Sequence, residues 1–279
     1  MEQREKTIGS EVTLKGRGLQ TGKFSSVTLR PAPAGYGITF ARKDAVIPGE
    51  TRLSDGLFSA SAKRRTEIDL SGTKLQTVEH FMAALWALGI DNLKVEVDGP
   101  EMPAMDGSAK GFLDNIRPAG IEEQGPLRRF IRIREPLRVE DGSRGITVLP
   151  ADKFSVSYSI DYPSSCIKKE TFKIDLDGES FAREIAPART FCMKREALFL
   201  FLSGLGRGAT LENTLVLGKR GPFGTSMRFP NEPVRHKILD LVGDLYTIGL
   251  PILGEFVCER SGHALNARVL REIYERYVA

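Results

Sequence analysis

Apolar and polar positions alternate early in the chain. Val27 and Leu29 stand two apart behind the glycine-rich stretch Gly16-Arg17-Gly18-Leu19-Gln20-Thr21-Gly22, and Pro31-Ala32-Pro33 closes the run. This period of two predicts strands. Residues 46–75 keep no single period; they mix short strand-like pieces with Lys63-Arg64-Arg65, which reads as a solvated turn. Thr77 is the expected N-cap of a helix from Val78 to about Leu88, apolar nearly all round, hence buried, and stopped by Gly89. Alternation returns in Leu93-Lys94-Val95-Glu96-Val97, after which Asp106-Gly107-Ser108 predicts a turn ahead of a short helix around Phe112.

From Gly120 to Pro126 the pattern breaks into polar residues with Gly and Pro, and the boundary between two α+β domains is expected there. A new strand set begins at Phe130-Ile131-Arg132-Ile133-Arg134. Asp141-Gly142 signals a hairpin, and Ile146–Val148 and Phe154–Ile160 follow as strands. A helical stripe lies within residues 231–250, and a last helix over 264–277 carries Leu265, Val269, Ile273 and Tyr277 four apart. The order of elements in the second half repeats that of the first.

A length of 279 residues suits two such domains, and shares of 41% hydrophobic and 27% charged residues point away from disorder. The net charge of +4 is spread along the chain, which argues against nucleic-acid coating and permits a local basic pocket for a phosphorylated small molecule. The charged opening Met1-Glu2-Gln3-Arg4-Glu5-Lys6 is unlike a signal peptide, and no apolar run approaches membrane-spanning length. A cytoplasmic protein without an integral membrane segment is expected. Three widely spaced cysteines, Cys166, Cys192 and Cys258, fit neither a disulfide framework nor a cysteine-based zinc site, so any metal must use other ligands.

The three histidines, His80, His236 and His263, each stand near another reactive group. His236 and Asp240 are four residues apart, on one helix face, where an imidazole and a carboxylate can share a cation; Asp244 continues the stripe. By itself this motif is weak, since such a pair is more often a hydrogen-bonded or ionic pair on a solvated helix. Glu79 adjoins His80, as suits a general base beside a metal ligand, although a buried histidine in a first helical turn is usually structural. His263 follows Ser261-Gly262 just before the last helix. On spacing alone, a metal hydrolase and a non-catalytic α+β module both remain open. The module would use Arg128, Arg132, Arg134 and Arg138 on nucleic acid and hold no stoichiometric metal.

Taken together, the motifs resemble one family, the UDP-3-O-acyl-N-acetylglucosamine deacetylases of bacterial lipid A synthesis. They are Gly18-Leu19-Gln20-Thr21-Gly22, Leu29-Arg30-Pro31-Ala32, Thr77-Val78-Glu79-His80, Gly89-Ile90-Asp91-Asn92, Met105-Asp106-Gly107-Ser108-Ala109, Ala188-Arg189-Thr190-Phe191, Val234-Arg235-His236-Lys237 and Ser261-Gly262-His263-Ala264-Leu265-Asn266. Their order and spacing span nearly the whole chain.

The resemblance implies an α+β fold of two similar domains, 1–124 and 127–279, each a mixed sheet with two helices, the helices sandwiched between the sheets. It implies a monomer with the active site at the domain junction and an insert in each domain, around 46–75 and 195–220. By the same resemblance His80, His236 and Asp240 bind Zn2+, a set that also accepts Fe2+. Glu79 becomes the general base, His263 the general acid, Asp244 the partner of His263, and Thr190 an oxyanion donor. The implied substrate is a UDP-linked acylated amino sugar. Lys237 would meet its phosphates, Asp161 and Tyr162 its uridine, and Phe191, Leu198 and Leu202 other parts, including the acyl chain carried by the apolar run of residues 197–202. Another zinc amidase, acting on a different acyl-amino sugar, is the alternative enzyme. Gln20 stands where members commonly have His; Cys192-Met193 and Gly208-Ala209-Thr210 also depart from the usual pattern, and these changes bear on the shape of the acyl passage.

Overall fold

The inward positions of alternating strands build two sheets of the same order. A computed structural model describes residues 3–43, 49–53, 65–70, 72–163 and 166–278, without the side chains of Leu198, Leu200 and Phe201. The first half runs β1 (Arg4–Ile8), β2 (Val12–Arg17), β3 (Phe24–Pro31), β4 (Ile38–Arg42), β5 (Glu50–Arg52), β6 (Glu67–Leu70), β7 (Thr73–Gln76), α1 (Glu79–Leu88), β8 (Leu93–Asp98), α2 (Lys110–Ile116) and β9 (Ile121–Leu127). The second runs β10 (Ile131–Arg132), β11 (Leu137–Asp141), β12 (Arg144–Leu149), β13 (Phe154–Asp161), β14 (Lys169–Leu176), α3 (Gly178–Glu184), β15 (Phe191–Met193), α4 (Lys194–Leu202), β16 (Leu215–Leu217), β17 (Pro222–Phe223), α5 (Glu232–Tyr246), β18 (Ile252–Glu259) and α6 (His263–Tyr277).

The first sheet has the order β2-β3-β8-β4-β5 and the second β11-β12-β18-β13-β14. In each, the last strand inserts at the centre, antiparallel to one neighbour and parallel to the other. One helix precedes that central strand and one follows it: α1 and α2 around β8, α5 and α6 around β18. The repeat of element order expected from the sequence is therefore a repeat of topology.

Helix α1 sits between the sheets. Phe81 packs edge-on against Phe40 of β4 at 6.2 Å, while Trp86 meets Phe154 of β13 at 5.4 Å. Burying a side chain such as Phe81 stabilises by roughly 1.5–3 kcal/mol, which is why this helix, apolar beyond Glu79 and His80, is central. Gly89 ends it at φ 69, in the left-handed region that glycine tolerates, and its N–H bonds to the Trp86 carbonyl. At its other end α1 meets α5 through main chain: a Cβ on Gly243 would lie 1.9 Å from the Glu79 carbonyl oxygen. Only glycine permits this approach.

Several expectations need correction. Thr77 does not cap α1; Val78 occupies that position without a side-chain cap bond, and the Thr77 hydroxyl donates instead to Glu101 Oε1 at 2.8 Å. The polar stretch before Pro126 is strand β9, paired antiparallel with β1. Because β9 is exposed along most of its length, no alternation marks it. The strand expected over 130–134 shrinks to the two residues of β10. Helices α3 and α4 add to the two expected in the second half. His263 is the first residue of α6, behind Gly262, and not a loop residue before it. Much of the expected insert at 46–75, with Lys63 and Arg64, lies outside the described residues; Arg65 pairs with Glu67 at 2.8 Å. Among the described residues, no helix is long and apolar enough to cross a membrane.

Candidate active site

A stripe along α5 and the first turn of α1 converge on one cavity of about 640 Å³, lined among others by Glu79, His80, Thr190, His236, Asp240 and His263. The four-residue steps from His236 to Asp240 to Asp244 place all three on the face of α5 that meets α1, and all are buried. Ligand atoms of His80, His236 and Asp240 lie within 4.8 Å of one another. Asp240 Oδ1 is 3.3 Å from His236 Nε2 and 3.7 Å from His80 Nε2.

Electrostatics prepares these groups. His236 Nδ1 lies 3.0 Å from the Ala188 carbonyl, an acceptor, so Nδ1 carries the proton and Nε2 keeps its lone pair for a ligand. Burial pulls the His236 imidazole down to about 4 despite the Asp240 carboxylate, so it is neutral near pH 7. Burial also raises Asp240, but His236, Lys237 and His263 outweigh it and hold the carboxyl well below its ordinary value. Two imidazoles and one carboxylate at these separations fit a divalent metal ion with room for a further ligand. The donor set favours no particular metal, since zinc and ferrous iron both accept it.

Two titrating groups flank the set. Glu79 is buried, and desolvation pushes its carboxyl up to about 7 although His263 and His80 draw it down. Burial opposes the charged form of His263, but the carboxylates of Asp244 and Asp240 prevail and raise it to about 9. Its Nδ1 is 2.7 Å from Asp244 Oδ2, which also accepts from Asn266 Nδ2 at 2.7 Å. Between those two values Glu79 is anionic and His263 cationic, the states required of a base and an acid.

Thr190 lines the cavity and is pinned through its main chain, donating to the Gly107 carbonyl at 2.8 Å and accepting from Leu215 at 2.8 Å. Lys237 Nζ donates to Asp240 Oδ2 at 2.5 Å. Tyr162 and Phe191 both face the cavity and stack edge-on at 5.8 Å. Asp161 is exposed at the end of β13 and is not among the lining residues. Leu202 is 75% exposed at the end of α4, away from the lining, and the Leu198 side chain lies outside the described residues.

Some of the machinery escaped the sequence. Thr66 and the Ala188 carbonyl reach the site from stretches without a readable period, and Asn266 carried no expected role. Arg144 and Asp141 line the cavity from the β11–β12 hairpin, where the turn and the strand over Ile146–Val148 were legible but a place in the site was not. Of the basic residues of the nucleic-acid alternative, Arg128 is half-buried, paired with Asp91 at 2.8 Å and the Tyr246 hydroxyl at 3.3 Å, and Arg138 pairs with Glu140, while Arg132 and Arg134 are exposed.

An α+β fold whose paired sheets enclose a His-His-Asp donor set, beside a raised carboxyl and a raised imidazole, is that of a metal-dependent hydrolase. The family described as LpxC: UDP-3-O-acyl N-acetylglycosamine deacetylase matches residues 5–275. A Myxococcus xanthus (strain DK1622) protein called UDP-3-O-acyl-N-acetylglucosamine deacetylase is 41% identical over 273 residues, covering 96% of this chain and 86% of its own length. Proteins called the same in Acidithiobacillus ferrooxidans (strain ATCC 53993 / BNL-5-31) and Thermodesulfovibrio yellowstonii (strain ATCC 51303 / DSM 11347 / YP87) are 41% and 39% identical. They cover 98% and 97% of this chain, and 90% and 92% of their own lengths. The chain belongs to the UDP-3-O-acyl N-acetylglycosamine deacetylase family.

Proposed function

We propose that this protein hydrolyses the N-acetyl group of UDP-3-O-acyl-N-acetylglucosamine, releasing acetate and UDP-3-O-acyl-glucosamine, the deacetylation step of lipid A biosynthesis. The observation that carries the reading is the meeting of His80, His236 and Asp240 within 4.8 Å at the cavity that Glu79 and His263 also line. These three residues hold the metal, which we take to be Zn2+. Bound there, a divalent ion supplies Lewis acidity for the amide carbonyl and for water.

Glu79 removes a proton as water adds to the acetyl carbon. Thr190 donates its hydroxyl to the oxyanion that forms. The carbon–nitrogen bond then breaks as His263 gives its proton to the sugar nitrogen, and Asp244 holds the imidazole in place through Nδ1. The products are acetic acid, which loses its remaining proton to solvent as acetate, and a free amine, while Glu79 holds the proton taken from water and His263 is left neutral, so atoms and charge balance.

Lys237 and Tyr162 border the cavity where a nucleotide diphosphate and its base would sit, Lys237 offering the cation and Tyr162 a ring face. Asp161 serves the uridine from the exposed end of β13, Phe191 walls the sugar site, and α4 with Leu198 and Leu202 guides the acyl chain. The same reading divides the chain at 124–127, each half supplying part of one site, and makes it a cytoplasmic monomer. The test is mass-spectrometric detection of acetate from the nucleotide sugar by the metal-loaded protein, and its loss on chelation. Deacetylation that survives complete metal removal refutes the reading.

A further inference from the structure

Thr66, immediately before β6, sends three polar groups to three parts of the site. Its N–H donates to Glu79 Oε2 at 3.1 Å. Its hydroxyl donates to Asp244 Oδ1 at 2.5 Å and stands 3.3 Å from His263 Nδ1. Its carbonyl accepts from the N–H of Thr77 at 2.8 Å and of Val78 at 3.4 Å, the two residues that lead into Glu79. Thr77 has φ 57, a left-handed conformation that is strained for a β-branched residue and persists only where neighbours enforce it. Thr66 enforces it from one side; buried Glu101, accepting the Thr77 hydroxyl, does so from the other.

The hydroxyl completes the surroundings of Asp244. Oδ2 already accepts from His263 and Asn266, and Thr66 supplies a donor to Oδ1, so the carboxylate is fixed in one orientation. A threonine that merely opened a strand would bond to residues nearby in the chain. This hydroxyl instead reaches partners 178 and 197 positions away, both in the pair that handles the leaving-group proton.

We propose that Thr66 is a positioning residue for the reaction, locking the Glu79 carboxylate and the Asp244–His263 pair into one frame so that proton removal and proton delivery stay in register. The inference rests on the deacetylase reading of the site.

Thr66→Val keeps the shape and the N–H to Glu79 and deletes only the hydroxyl. The expected result is a kcat about tenfold lower, as for loss of one hydrogen bond to a charged group, with KM and metal stoichiometry unchanged. Thr66→Ser restores kcat to within about twofold. On an Asp244→Ala background, Thr66→Val causes less than about a twofold further loss, because the acceptor it serves is gone. Should the valine variant not fold, Thr66→Ala deletes the same hydroxyl and carries the same expectation. Independently of turnover, the imidazole Nδ1 proton of His263 shifts by NMR in metal-free Thr66→Val relative to the parent.

A valine variant with parental kcat, a serine variant as slow as valine, losses that multiply in the double variant, or an unmoved Nδ1 resonance overturns the proposal. Acetate release by the parent is measured first. Its absence refutes the deacetylase reading and the inference with it, whereas an active parent matched by an equally active Thr66→Val refutes the inference alone.

Discussion

Asp244→Asn removes a charge without removing volume, and its effect should depend on pH in a calculable way. His263 is raised from 6.5 to about 9, with Asp244 the foremost of the carboxylates that raise it against burial. Loss of that charge lowers the imidazole by roughly 2 units, to near 7. At pH 8 an acid of pKa about 9 is roughly nine-tenths protonated and one of pKa about 7 roughly one-tenth, so the share of competent acid falls about tenfold. At pH 6 both are almost wholly protonated and the difference disappears. What remains at pH 6 is any loss of ring orientation, which is independent of pH. The assay is kcat/KM for acetate release at half-unit steps from pH 5.5 to 9.5, for parent and variant. The parent profile rises through about 7, where Glu79 loses its proton, and falls through about 9, where His263 does. In the variant the alkaline limb moves to lower pH while the acid limb stays. A parent-to-variant ratio equal at pH 6 and pH 8 refutes the assignment of His263 as the acid sustained by Asp244.

Glu79→Ala should retain metal and lose about 100- to 10,000-fold in turnover, the usual range for a general base; unchanged turnover with normal metal content removes Glu79 from that role. His236→Ala deletes one of three donors, so metal measured per chain after dialysis should fall well below the parent, and a full complement contradicts the ligand set. Glu232→Gln probes the scaffold behind the site. Glu232 is fully buried and accepts from Arg189 at Nε, at 2.9 Å, and at its main-chain N–H, at 3.0 Å, so the variant leaves a buried guanidinium without its counter-charge. A loss of about 3–5 kcal/mol in denaturant unfolding is expected, and a loss below about 1 kcal/mol shows that the pair does not support the segment carrying Ala188 and Thr190.

The sequence made some of this architecture plain and hid the rest for identifiable reasons. The i, i+4 spacing of His236, Asp240 and Asp244 is local, and a helix turns it directly into a shared face. That His80 joins them depends on how α1 crosses α5, which periodicity does not encode; family likeness supplied that link. Thr77 misled because its hydroxyl is an equally good donor to a distant carboxylate, and Glu101 claims it. Strand β9 was hidden because a pairing partner can stabilise a segment that is polar on both faces, leaving no alternation to see. Helix α3 did carry a signal: Asp177 accepts from the Ser180 N–H at 2.8 Å in a reciprocal capping box, and the Asp-Gly-Glu-Ser stretch announces it. The role of Thr66 was invisible because all its consequential partners are remote.

The bare contact between Gly243 and the Glu79 carbonyl bears on how the molecule breathes. Side chains that pack across an interface can readjust singly, but two backbones in contact separate only by moving as rods, so α1 and α5 should open together or not at all. Native-state hydrogen exchange would then report one shared opening rate for the amides of both helices, and every such opening would scatter the donor cluster in a single event.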